Sequence, residues 1–145
     1  MIISSPAFQN NSTIPAKYTC DGENINPPLE FFEIPKNTKS LVLIMDDPDA
    51  LIGTWTHWTL WNINPDIKTI KENSVPNNSI QGKTSRENCY SGPKPPSGTH
   101  RYFFKLYALD TILNLDPQST IDILSREIQG HIIDQTELIG LYSAK

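Results

Sequence analysis

The chain has 145 residues, enough for one domain with a buried core that needs no disulfide or metal staple. A hydrophobic share of 37% and a charged share of 19% belong to a folded soluble protein and exclude a disordered one. Twelve Lys and Arg against sixteen Asp and Glu leave a net charge of −4 without charge blocks, which argues against a broad footprint for nucleic acid or an acidic membrane.

In chain order, the start, "MIISSPAFQNN", has no basic region followed by an apolar stretch, and the longest apolar run, Leu41 to Met45, is far too short to span a bilayer. The expectation is a cytoplasmic protein with no integral membrane segment. Cys20 and Cys89 form no CxxC pair and read as free thiols in a reducing cytosol, with one bridge between them as the alternative. Twelve prolines, scattered from Pro6 to Pro117, leave little room for helices, and turn chemistry cuts the apolar runs every eight to fifteen residues. That is the pattern of an all-β sandwich or barrel.

Three runs predict strands: "SLVLIMDD" (40–47), "TWTHWTLWNI" (54–63) and "HRYFFKLYAL" (100–109). The last two carry large apolar side chains on both faces, which places them centrally in a sheet. "STIDILSREIQG" predicts one helix, capped at Ser119 or Thr120 and stopped at Gly130, and "ELIGLYS" predicts a final strand. His131, just past Gly130, reads as a helix-end residue set against the terminal carbonyls.

The polar residues at strand ends carry the candidate chemistry. Asp46, Asp47 and Asp49 flank Pro48, where aspartates are common turn formers. Strict alternation puts His57 on one face with Trp55, Thr59 and Trp61, and His100 on one face with Tyr102. His57 has a plain reading as a core ring bonded to backbone, and His100 and Tyr102 as partly buried side chains whose polar tips reach the sheet edge. No H-x-x-x-H or H-x-H spacing supports a metal, no G-x-S-x-G marks a nucleophile, and no cofactor fingerprint is present. The stretch "CYSGPKPPSGTHRYFF" (89–104) concentrates fixed φ angles at Pro93, Pro95 and Pro96 between permissive Gly92 and Gly98, so it holds something in place.

"DDPDALIGTWTHWTLWNI" (46–63) and "YSGPKPPSGTHRYFFKLYAL" (90–109) resemble the two signature blocks of the phosphatidylethanolamine-binding proteins, also called Raf-kinase-inhibitor-like proteins. "YTCDGENINPPLEF" (18–31) and "GHIIDQTELIGLYS" (130–143) further resemble the short bacterial and archaeal branch. The resemblance covers nearly the whole chain. It implies one domain over residues 1–145, a mostly β, Greek-key-like antiparallel sandwich with one or two short helices. It also implies a pocket for a small anion such as phosphate, acetate or a phospholipid head group. Carried over, Asp47, His57, His100 and Tyr102 match the polar pocket residues, and Gly92 matches a glycine whose backbone approaches the anion. Pro48, Asp49, Trp55, Pro95 and Pro96 match the rim.

Leu51 stands where many relatives have proline, Lys94 stands where a small residue or Cys is frequent, and "QGKTSRENCYSG" (81–92) departs from the branch's approach to the second block. The expected function is a non-enzymatic binding or regulatory protein without cofactor or metal; the resemblance implies inhibition of a kinase or protease as one such role, with that enzyme as partner, and a homodimer as in short bacterial-type relatives. The alternative is a hydrolase or transferase using Asp and His as acid and base in the same pocket. A scaffold with an idle pocket is the third reading.

Overall fold

A computed structural model describes residues 1–145. The elements are β1 (Ile2–Ser4), β2 (Ser12–Thr13), a 3-10 turn (Ala16–Tyr18), β3 (Leu29–Phe32), β4 (Ser40–Asp47), β5 (Trp55–Ile63), β6 (Thr69–Ile70), β7 (Ile80–Gln81), β8 (Thr99–Leu109), α1 (Ile121–Ile128) and β9 (Ile132–Ser143). They form a three-stranded sheet, β1-β3-β6, and a six-stranded sheet, β2-β9-β8-β4-β5-β7. The chain is mostly β, as expected. One pairing departs from the antiparallel rule: the two residues of β2 run parallel to β9, Ser12 opposite Gly140. The final strand also begins five residues earlier than the sequence pattern indicates, pairing with β8 over its whole length.

β4 lies between β5 and β8, and all eight of its residues are buried. The reason is a second layer on each face. One face packs Leu41, Leu43, Met45, Trp58, Leu60, Phe104 and Leu106 against Ile3, Leu29, Phe31 and Ile70 of the small sheet. On the other, Val42, Ile44, Trp61 and Leu109 meet Leu124 and Ile128 of α1. Thr120 caps α1 by accepting from the Ile123 N–H, which satisfies one of the orphan donors of its first turn. His131 combines two contacts. Its backbone N–H reaches the Ile128 carbonyl, as expected of a helix end, but its ring pairs with Asp110 at 2.8 Å.

The alternation expected along β5 fails at His57. Met45 pairs with Trp58 and Asp46 with Thr56, so His57 is an extra residue without a cross-strand partner, a β-bulge. The bulge reverses the side-chain count. Trp61 faces α1, whereas Trp58 and Leu60 lie in the inter-sheet core. His57 leaves the face of Trp61 and turns toward Tyr102, a residue of the inter-sheet core, with ring centroids 5.3 Å apart and planes at 75°.

Candidate functional site

A cavity of about 330 Å³ opens where β4 ends, β5 begins and β8 begins. Asp47, Trp55, His57, His100 and Tyr102 line it from the strands, and Ser91, Gly92, Lys94, Pro95 and Pro96 from the proline-rich loop. Pro48 and Asp49 are outside the lining, in the turn beyond Asp47. Cys20, Arg86 and the 50–52 turn also reach the cavity. Nothing local in the sequence marks Cys20 or Arg86, because the fold brings them in from remote loops.

Both histidines are held by Nδ1. The His57 Nδ1 faces the Ser91 carbonyl, which can only accept, so it carries the hydrogen. The His100 Nδ1 donates to Asp47 Oδ2 at 2.7 Å. The other oxygen of Asp47 accepts from the Asp49 backbone N–H at 2.8 Å. Asp47 is thus a turn former and a histidine orienter at once. In both rings Nε2 is left without a protein partner. Burial pushes the His57 ring below its ordinary 6.5, which favours the neutral form.

Asp46, next in sequence, points to the opposite face and takes a 2.9 Å contact from Lys105 Nζ. Asp49 is bidentate to the Arg101 guanidinium at 2.9 Å, which draws its carboxyl down to about 2.

Tyr102 is 0% exposed, yet its hydroxyl has no hydrogen-bond partner in the protein. Burial raises its pKa, and the Lys94 backbone N–H, outside hydrogen-bonding geometry, opposes that only weakly. The phenol therefore stays a donor at neutral pH.

Gly92 departs from its expected role. Its N–H donates to Asn24 Oδ1 at 2.8 Å and is not free for a ligand. A Cβ there would lie 2.4 Å from Asn24 Oδ1 and 2.7 Å from the Tyr18 carbonyl, so close packing against the 18–24 loop is what demands glycine. The same loop is tied down by Cys20 N–H to the Pro93 carbonyl and by Tyr90 Oη to the Tyr18 carbonyl. The rigid segment is a wall clamped to a second loop.

A family model described as phosphatidylethanolamine-binding protein matches residues 4–143. The chain belongs to the phosphatidylethanolamine-binding protein family. Among similar members, a UPF0098 protein of Methanothermobacter thermautotrophicus is 47% identical over 98% of both chains. One from Chlamydia pneumoniae is 42% identical with the same coverage. A Chlamydia trachomatis structure described as a phosphatidylethanolamine-binding protein homolog superposes with a TM-score of 0.94 at 38% identity, covering 99% of this chain and 97% of that one. The Escherichia coli protein YbcL, described as a member of the mammalian phosphatidylethanolamine-binding protein family, gives 0.92 at 25% identity, covering 99% and 98%. No helix of this family member is long and apolar enough to cross a membrane.

Proposed function

We propose that the cavity captures a small anionic group, a phosphate or carboxylate, and that the protein works as a non-enzymatic binding or regulatory protein of the cytoplasm. The observation that carries this reading is Tyr102, a fully buried hydroxyl with no partner that lines the cavity. A buried unsatisfied donor costs free energy unless something completes it. The two Nδ1-anchored imidazoles stand on the same wall, and Arg86 and Lys94 at the mouth are exposed and outside every ion pair of the protein. Protonated at Nε2, the imidazoles add donors to the phenol, and the set then suits phosphate, acetate or a phospholipid head group. A kinase or protease is the kind of partner such a regulator would present its loaded or empty pocket to.

The experiment is a proton and phosphorus NMR titration with inorganic phosphate and a phospholipid head-group analogue, on the wild type and Tyr102→Phe. Both histidine ring signals are expected to shift together and saturate. Tyr102→Phe should leave the ligand-free protein as stable or more so by about 1 kcal/mol, and bind phosphate about ten-fold more weakly. Rings that do not respond in the wild type overturn the anion pocket. Acid–base chemistry by the Asp47–His100 pair is the second reading, favoured by the orientation that leaves Nε2 of His100 free. It requires turnover of a phosphate or acyl ester that disappears in His100→Ala.

A further inference from the structure

Cys20 is half-buried and lines the cavity beside the residues of the proposed anion pocket. Its backbone N–H donates to the Pro93 carbonyl at 3.1 Å and its Sγ–H to the Gly92 carbonyl at 3.4 Å, which fixes the thiol against the proline-rich wall. It is close enough to the cavity phenol that a charge on it raises the Tyr102 pKa, and that of Tyr90 as well. The cavity that holds this thiol also contains the hydroxyl of Tyr102, which is fully buried and has no hydrogen-bond partner in the protein.

The second thiol is in a different setting. Cys89 is not part of the cavity lining, and burial together with the Glu87 carboxylate pushes its pKa up. Thiols react as thiolates, so the raised pKa lowers the reactive fraction of Cys89. The chain thus contains its own control.

We propose that Cys20 is a modification site, at which a low-mass disulfide bearing a carboxylate or phosphate is captured as a mixed disulfide, and that this capture and reversible anion binding exclude one another. The proposal rests on the anion-pocket reading for its choice of reagent. The anionic arm of the disulfide would take the place of the bound anion, drawn by Arg86 and Lys94 at the mouth, and bring a sulfur to Cys20. The Cys20 thiol gives up its proton, the thiolate attacks one sulfur, and a new S–S bond forms as the old one breaks. The departing thiolate leaves with the electron pair and picks up a proton. One disulfide replaces another, so no outside oxidant is consumed. The attached group would fill the space that phosphate needs.

The test compares two aromatic disulfides, the dicarboxylate dithiobis-nitrobenzoate and the neutral dithiodipyridine, with the reacted cysteine located by peptide mass spectrometry. Each runs on the wild type, Cys20→Ser and Cys89→Ser, with and without saturating inorganic phosphate, and with sodium chloride at matched ionic strength. Cys20 is expected to outpace Cys89 by about ten-fold or more with the dicarboxylate, with a smaller margin for the neutral reagent, because a basic mouth speeds anion entry. Phosphate should slow Cys20 and leave Cys89 unchanged. A dicarboxylate that shows no preference for Cys20 overturns the proposal, as does phosphate that slows both thiols equally. If phosphate moves the histidine signals but leaves Cys20 unprotected, the anion pocket stands and the exclusion falls. If phosphate moves nothing, the pocket itself falls.

Discussion

Asp47 and His100, 53 residues apart, are joined by a 2.7 Å hydrogen bond between neighbouring strands, and this bond fixes which ring nitrogen of His100 is left for a ligand. The carboxylate costs repulsion against any bound anion. It returns orientation, and it stabilises a protonated ring when one forms. Asp47→Asn keeps the volume and removes the charge. Phosphate affinity near pH 6.5 is expected to fall about ten-fold. Calorimetry checks this; unchanged or tighter binding would show that the repulsion outweighs the orientation.

Anion binding should take up a proton. The hydrogens of both rings sit on Nδ1, facing Ser91 and Asp47, so neutral rings present Nε2 lone pairs that repel an anion. Acetate isolates the protein's share, because it carries no proton at neutral pH. Besides each other, the charged or titratable groups around the rings are Asp47, Asp49, Cys20, Tyr102, Arg86 and Lys94. Acetate affinity should rise as pH falls from 8 to 6, by up to about ten-fold per unit, with an uptake approaching one proton. Calorimetry in two buffers of different ionisation enthalpy measures that uptake, and a value of zero would refute the tautomer assignment. The stability of the ligand-free protein should run the opposite way. The depressed His57 pKa makes the unfolded chain bind more protons, so its contribution is whole above 6.5 and is lost as pH falls below it.

Gly92→Ala tests the clamp between the wall and the 18–24 loop. The added methyl would meet Asn24 Oδ1, the Tyr18 carbonyl and Thr19 Cα, all within 3 Å. Overpacking of this kind costs about 1–3 kcal/mol. Urea unfolding measures the loss. Wild-type stability in this variant would mean that the two loops are not locked together.

The turn after β4 is held by Arg101. Its guanidinium keeps the Asp49 carboxyl at about 2, against an ordinary 3.8. A depressed carboxyl stabilises above its unfolded value, and the contribution is lost as pH falls through about 2. In Arg101→Gln the Asp49 midpoint should move back toward 3.8, as read from its carboxyl carbon by NMR. A midpoint that stays put would assign the shift to the Arg101 backbone N–H, which also donates to Asp49 Oδ2 at 2.9 Å.

The long strands were legible because their residues are locally consistent. "SLVLIMDD" matches β4 residue for residue, and β5 and β8 differ from expectation by one residue at the start. The helix cap was readable as Ser119 or Thr120, and it is Thr120. The direction of His57 was not, since a bulge has no sequence signature in a run of β-formers and one extra residue reverses the faces that follow, until a second register shift between Leu60 and Ile63 reverses them again. Nor was the reason for Gly92, because the atoms that forbid a side chain there belong to residues 18–24. Cys20 and Arg86 stayed hidden for the same cause. A pocket assembled from three distant stretches shows in one-dimensional order only those members that sit on strongly patterned strands.

The phenol of Tyr142, three residues from the C-terminal Lys145, donates to Asp21 Oδ2 at 2.7 Å, and Asp21 adjoins Cys20 on the cavity wall. The 18–24 loop is thereby moored to β9. During synthesis the strands bearing His57 and His100 and the clamp between the proline-rich wall and the 18–24 loop all precede β9, so the Tyr142 contact is the last of that loop's ties to form. Cys20 in a nascent or C-terminally clipped chain would be a more open target for disulfides than in the finished protein.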